Sequence, residues 1–265
     1  MPELKRADGV EVHWEERGEG RTVFFAHLSW LTTPSRFDGL LTDLATDHRV
    51  LTWDPRGVGQ STRRGPYDIA TDADDMAALV EAVRSPVVIV SADPASIKLA
   101  AERPDLTEAV VYMGLGPFGG GRTDSFLDSQ SVIEAALQLA RSDYRAFLRA
   151  AVTAANPQAS EEEVRERVEA QVAYCPQEVA LPHIEEWSSG DAISRTGPAL
   201  GGRFWIVQHE DPLVPPAVLD RARELLPEAH IVEAEDGPIS RPDIVAGVLR
   251  KITAASTPPA GARSA

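Results

Sequence analysis

The chain has 265 residues, 43% of them hydrophobic and 25% charged, which is typical of a globular domain and excludes a disordered or fibrous chain. Its net charge of −15 would repel phosphate backbones, which argues against nucleic acid as a partner. The N-terminus lacks a signal-peptide pattern, no stretch of 18 apolar residues occurs, and Cys175 is the single cysteine. We therefore expect a cytoplasmic protein with no membrane contact and no intramolecular disulfide.

Short apolar runs alternate with amphipathic stretches of helical length along most of the chain. This alternation predicts an α/β fold, a mostly parallel twisted sheet with helices on both faces. The predicted strands are residues 10–16, 22–26, 50–53, 87–90, 109–113, 203–208 and 231–233. The predicted helices are residues 71–83, 97–102, 217–225 and 242–252.

Residues 115–202 break the alternation. They begin with the Gly-rich LGPFGGGRTD and continue with helical patterns only, one of which starts with a capping box formed by Ser160 and Glu163. A segment this long without strands predicts a helical lid inserted into the sheet domain. The chain then divides into a core of residues 1–114 and 203–254, a lid of residues 115–202, and a disordered Pro-rich tail of residues 255–265.

Three segments together resemble the α/β-hydrolase superfamily. DPRGVGQS (54–61) is similar to its D-x-R-G-x-G-x-S turn, and VVIVSADPASIKLAAERPD (87–105) is similar to the strand, turn and helix that normally carry G-x-S-x-G. FWIVQHEDPLVP (204–215) is similar to the late strand whose trailing loop carries the catalytic acid. The resemblance implies the fold of that superfamily. A nucleotide-binding fold fits less well, because the first strand-to-helix turn, HLSWLTTPS, has no glycine.

The same resemblance implies that the usual Ser-His-Asp machinery is missing. Asp93 stands where the family has its serine, and Pro94 lacks the N–H that would form half of the oxyanion hole. Loss of one such donor typically lowers turnover by about 100- to 1,000-fold. No histidine occurs after His230, so the catalytic base is absent, and only the acid is matched, by Asp211. We therefore do not expect an ordinary esterase or lipase.

The predicted catalytic residues are Asp93, Asp211 and His27. A carboxyl group at the end of a buried strand has a raised pKa, which suits a general acid or base near neutral pH. A second carboxyl group in the same pocket would separate the two pKa values further. His27 ends the run VFFAH, where members of the superfamily carry a His-Gly pair beside the oxyanion site; a buried structural histidine is an equal alternative. Asp54 and Arg56 are expected to brace their own loop.

The predicted substrate-binding residues line the same pocket from the loop after the first parallel strand, the turn after Asp93 and the lid. They are Ser29, Trp30, Pro94, His183 and Trp187. A place in the core is the alternative role for Trp30, and packing of the lid is the alternative for His183 and Trp187. We expect no metal, because His209 and its acidic neighbours lack a third convergent ligand, and no cofactor. The expected partner is a small-molecule substrate, with a homodimer left open.

The sequence leaves three functions open. The preferred one is a non-hydrolytic, cofactor-independent cyclase, isomerase or lyase with Asp93 as general acid or base, because a reactive carboxylate replaces the serine and a lid is retained. The second is a catalytically silent binding or scaffold protein. The third is an Asp-dependent hydrolase resembling epoxide hydrolases or haloalkane dehalogenases, although those enzymes need a histidine to release their ester intermediate.

Overall fold

One sheet runs through the computed structural model, which describes residues 3–114, 127–188, 192–209, 216–235 and 241–256. In these ranges its eight strands are β1 (Glu3–Lys5), β2 (Glu11–Arg17), β3 (Arg21–Ala26), β4 (His48–Trp53), β5 (Val87–Ser91), β6 (Thr107–Met113), β7 (Phe204–His209) and β8 (His230–Ala234). Their order is β1-β2-β4-β3-β5-β6-β7-β8. β2 is antiparallel to both of its neighbours, and the other pairs are parallel. All seven predicted strands are present, and β1 is an additional short edge strand.

The helices follow the parallel strands. They are α1 (Asp38–Leu44), α2 (Ile69–Val83), α3 (Pro94–Glu102), α4 (Leu127–Ser142), α5 (Tyr144–Ala155), α6 (Glu161–Tyr174), α7 (Gln177–Ser188), α8 (Pro216–Leu225) and α9 (Pro242–Ser256). The four helices predicted for the core are confirmed as α2, α3, α8 and α9, while the short α1 was not predicted. Among the described residues, no helix is both long and apolar enough to cross a bilayer.

Successive side chains of each strand point to opposite faces of the sheet, so the hydrophobic core consists of one cluster on each face. In β3, Phe24 packs in a cluster with residues of α2, α3 and α8, whereas Val23 and Phe25 pack in a cluster with α1 and α9. In β5, Ile89 belongs to the first cluster and Val90 to the second. Strands buried on both faces explain the unbroken apolar runs in the sequence.

The helices α4–α7 lie between β6 and β7, and we call them the helical insert. They share a small core of their own, which includes Leu148, Val168 and Cys175 and also holds Trp30 and Val58 from the sheet domain. The capping box of Ser160 and Glu163 is present at the start of α6. The predicted limits of the insert remain predictions, since residues 115–126 and the tail residues 257–265 lie outside the described residues.

Candidate functional site

The carboxyl ends of the parallel strands bring the candidate residues to one edge of the sheet. His27 follows β3 directly, Asp54 follows β4 directly, and Asp93 lies two residues after β5. All three side chains are buried. Open α/β sheets bind their ligands at this edge, so it is the natural place for a site. The predicted Asp211 lies outside the described residues.

The turn after β5 is an ordinary start of a helix. Asp93 has φ −93° and ψ 127°, the extended conformation that Pro94 favours in the residue before it. Its side-chain Oδ1 accepts a hydrogen bond of 2.8 Å from the N–H of Ala95 and so caps α3. Its own N–H donates to Ser91 Oγ at 2.8 Å, and its carbonyl accepts from Ser96 Oγ at 2.6 Å. Asp93 therefore lacks the strained backbone of a nucleophile exposed on a sharp turn.

The carboxyl group of Asp93 is 2% exposed, and its surroundings disfavour the charged form. Burial, and after it the negative charge of Asp72, raise the pKa of Asp93 from 3.8 to about 7. The N–H of Ala95 and the charge of His183 act in the opposite direction. Near neutral pH, Asp93 thus exists in both its protonated and its charged form.

Asp72 on α2 and His183 on α7 form a buried ion pair beside Asp93. His183 Nε2 lies 2.8 Å from Asp72 Oδ2, and its Nδ1 lies 2.9 Å from the carbonyl oxygen of Val179. Both neighbours can only accept, so both ring nitrogens carry a proton and the imidazole is charged. Burial lowers the pKa of His183, but the charge and the hydrogen bond of Asp72 raise it more, to about 9. The pair therefore fixes a negative charge next to Asp93.

His27 is a neutral, buried histidine in contact with the helical insert. Burial lowers its pKa to about 4, against a hydrogen bond with the backbone of Thr32. Its Nε2 lies 3.3 Å from the hydroxyl oxygen of Tyr174 on α6, and that hydroxyl donates its one proton to Asp54 Oδ1 at 2.7 Å. Among the described residues, no hydrogen bond joins His27 directly to Asp93.

The predicted substrate-binding residues divide between the insert contacts and the turn after β5. The carbonyl of Ser29 accepts from Gln171 Nε2 at 2.7 Å. Trp30 meets Trp187 edge to face at 5.2 Å, one turn after the histidine of α7. Pro94 is the buried first residue of α3. These contacts pack the insert onto the sheet domain, and a role in binding substrate remains a prediction for each residue.

Two buried acids on α2 were not among the predicted site residues. Asp72 and Asp75 share with Met76 and Leu79 the spacing i, i+3, i+4, i+7, which places all four on the buried face of the helix. That spacing was the available signal. Asp75 accepts both Nε and Nη2 of Arg56, at 2.7 and 2.9 Å. The expectation that Arg56 braces its own loop was therefore wrong, because it ties that loop to α2.

Comparison with known proteins places this geometry in a known architecture. No family model and no curated protein matches the chain. The solved enol-lactonase from Burkholderia xenovorans LB400 matches with a TM-score of 0.73 at 19% identity, over 96% of this chain and 100% of that one. An esterase from Exiguobacterium antarcticum matches with a TM-score of 0.74 at 14% identity, over 95% of this chain and 98% of that one. The epoxide hydrolase of Bacillus megaterium matches with a TM-score of 0.69 at 14% identity, over 96% of this chain and 100% of that one. The chain has the α/β-hydrolase fold.

In an α/β-hydrolase fold, the edge described above is the one that carries chemistry. At these identities the likeness shows the fold alone, since one fold hosts many unrelated activities. The buried side chains at that edge are therefore the candidates for any function. In this α/β-hydrolase fold they are a carboxyl group that titrates near neutral pH, a buried ion pair and a neutral histidine.

Proposed function

We propose that this protein is a cofactor-independent enzyme in which Asp93 transfers a proton to or from a small organic substrate, in a cyclisation, isomerisation or lyase reaction. The observation that carries the proposal is the environment of Asp93. Burial and the neighbouring charge of Asp72 hold its pKa at about 7, where a carboxyl group is an effective acid and an effective base.

The roles of the neighbouring residues follow from their contacts. As a base, the Asp93 carboxylate takes a proton from a C–H or O–H of the substrate, and it returns that proton to the product as an acid. The N–H of Ala95 holds Oδ1 in place. Asp72 is a positioning residue whose charge raises the pKa of Asp93, and His183 holds the Asp72 side chain in place through their ion pair. Asp211, the second acid predicted from the sequence, lies outside the described residues and stays a prediction, whereas Asp72 is a buried acid within them whose charge acts on Asp93.

Substrate must reach a carboxyl group that is closed to solvent. The charges of His183 and Glu186, both on α7, act on Asp93, so this helix of the insert lies over the site. We propose that the insert moves as a lid to admit substrate and to exclude water while the proton is transferred.

Deuterium exchange tests this function with a panel of compounds in place of a single chosen substrate. The full-length protein is incubated in D2O with enolisable 2-oxo acids, ketones and lactones, and loss of the exchangeable proton signal is followed by NMR. We expect exchange above the buffer rate for at least one class, and Asp93→Asn should slow it by about 100- to 10,000-fold. Exchange that is equal in wild type and Asp93→Asn would overturn the role of Asp93.

An Asp-dependent hydrolase is the second candidate, because a solved protein of the same fold is an epoxide hydrolase. In that reaction Asp93 would open an epoxide and form a hydroxyalkyl ester, which would persist because both ring nitrogens of His183 are already engaged. Intact-mass measurement after incubation with styrene oxide distinguishes the candidates. A single adduct mapped to Asp93 and absent from Asp93→Asn would favour the hydrolase.

A silent scaffold is favoured by one observation, the capping of α3 by Asp93. A carboxyl group that serves only as a cap needs no raised pKa, and asparagine caps equally well. Absence of both deuterium exchange and an epoxide adduct would favour this third candidate over the two enzymes.

A further inference from the structure

A cleft of about 380 Å³ lies between the loop after β3 and the helices α5 and α6 of the insert. Its polar lining comes from Arg36, Arg167, Glu166, Gln171 and neighbouring hydroxyls, and its apolar lining includes Leu31. Neither the Asp93 carboxyl group nor the buried ion pair beside it lines this cleft. The volume is within the range of small-molecule sites.

Two arginines that face this cleft form no salt bridge with the described residues. They are Arg36 and Arg167, and in the described part of the chain Arg167 Nη1 is buried without any hydrogen bond. Arg36 Nη2 donates to a neutral group, Asn156 Oδ1, at 3.3 Å. Burial, and after it the charge of Arg167, lower the pKa of Arg36, so the two guanidinium groups repel each other across the cleft. Such an arrangement is costly unless an anion joins it.

Two acidic residues near the cleft, Glu166 and Glu163, form no salt bridge with its arginines in the described structure. Glu166 is exposed at the rim. Glu163, one turn before Arg167, accepts hydrogen bonds from the backbone N–H and hydroxyl of Ser160 at 2.7 and 2.9 Å, and the charge of Arg167 also lowers its pKa. The charged residues that line the cleft are therefore two arginines and one glutamate, in a chain whose net charge is −15.

Gln171 adds a second buried polar atom without a hydrogen bond to the described residues, and this atom is an acceptor whereas the arginine nitrogen is a donor. It is 2% exposed, and its Nε2 donates to the carbonyl of Ser29 at 2.7 Å. Its Oε1 is buried and accepts no hydrogen bond from the described residues. A buried acceptor left unpaired costs about 1–3 kcal/mol, which a donor on a ligand would remove.

We propose that this cleft binds a small organic carboxylate that also carries a hydroxyl or N–H donor. The carboxylate lies between the guanidinium groups of Arg36 and Arg167, whose planar forks match its two oxygens. The donor reaches Gln171 Oε1, and a short aliphatic body packs against Leu31 and Val152. This inference concerns a site that excludes Asp93 and does not depend on proton transfer by that residue.

The probe is 2-hydroxy-3-methylbutanoate, tested on the full-length protein by calorimetry and by protection against phenylglyoxal. We expect one binding site, and the probe should slow modification of Arg36 and Arg167 but not of Arg165, which is exposed on the same helix and pairs with Glu162. Arg167→Gln should weaken binding by about 10- to 100-fold, which corresponds to roughly 1.4–2.8 kcal/mol for the loss of a charge-assisted bond. The matched variant Arg165→Gln should bind as wild type does.

Three outcomes would overturn the inference. The first is no protection of either arginine at probe concentrations of about 20 mM, which would mean a very weak site. The second is equal binding of the uncharged 2-hydroxy-3-methylbutanamide. The third is equal binding of inorganic phosphate with no effect of Gln171→Leu, since that would mark a simple anion hole. Asp93→Asn should leave probe binding unchanged, so failure of this site and failure of the proposed function are separable.

Discussion

Replacing Asp93 by asparagine tests whether burial and the charge of Asp72 raise the pKa of this residue. Asparagine is isosteric with the protonated acid and can accept the same hydrogen bond from Ala95, so the cap of α3 is retained. It cannot ionise. The substitution therefore removes the cost of charging Asp93 and leaves the other contacts of the turn in place.

The magnitude follows from the pKa. The folded pKa of Asp93, about 7, lies above its ordinary value of 3.8, so the folded state binds the extra proton. Stability of the wild type is then unaffected below pH 4, falls between pH 4 and 7, and stays reduced above pH 7. A pKa difference of one corresponds to about 1.4 kcal/mol, which gives a penalty on the order of 4 kcal/mol at pH 8. At about 2–4 °C per kcal/mol, Asp93→Asn should melt roughly 10 °C above wild type at pH 8.

The assay is thermal and urea unfolding of both proteins from pH 4 to pH 9. The two should have equal stability near pH 4 and diverge as pH rises. Asp143→Asn is the matched control, because Asp143 caps α5 through the N–H of Ala146 at 2.9 Å but is exposed. It should change stability little at any pH. A melting temperature for Asp93→Asn several degrees below wild type at pH 8 would refute the reasoning and mark the charged carboxylate as structural.

Three further predictions concern the rest of the site. The protein should not hydrolyse p-nitrophenyl acetate above a denatured control, and a fluorophosphonate probe should label no serine in the intact protein. His183→Asn should destabilise by about 3–5 kcal/mol at pH 6, because it removes the cationic partner of the buried Asp72. The folded pKa of His183, about 9, lies above its ordinary value of 6.5, so urea unfolding should show this difference shrink between about pH 6.5 and pH 9. Asp72→Asn combined with His183→Asn should recover most of the loss. Tyr174→Phe should cost about 1–3 kcal/mol in unfolding free energy through loss of its bond to Asp54, whereas an unchanged value would show that the bond contributes nothing.

Much of the fold could be predicted because the sheet is parallel and covered on both faces. Strands such as β5 then have no polar residue until their last position, Ser91, and contrast clearly with the helices. The edge strand β1 was missed because Glu3–Lys5 has only one apolar residue. The position of Asp93 was also predictable, since it follows a buried strand.

The partners of Asp93 could not be predicted by the same means. Asp72 and His183 are 111 residues apart in the chain, and their pairing depends on how α7 of the insert lies over α2. Hydrophobic periodicity identifies a buried helix face but not what a second helix brings to it. Two acids on the apolar face of α2 indicate buried partners, and the identity of those partners requires the three-dimensional arrangement.

The insert is attached to the sheet domain through hydrogen bonds between buried polar groups. Four bonds share this role: Tyr144 to the carbonyl of Trp30, Gln171 to Ser29, Tyr174 to Asp54, and His183 to Asp72. Breaking one of these bonds while the others remain would leave buried donors and acceptors without partners, which costs free energy. We therefore expect α5, α6 and α7 to detach as one cooperative unit. Their slowest backbone amides should then exchange hydrogen with a common opening free energy. For an enzyme built this way, the frequency of that opening sets a ceiling on turnover that no change in the chemistry of Asp93 can raise.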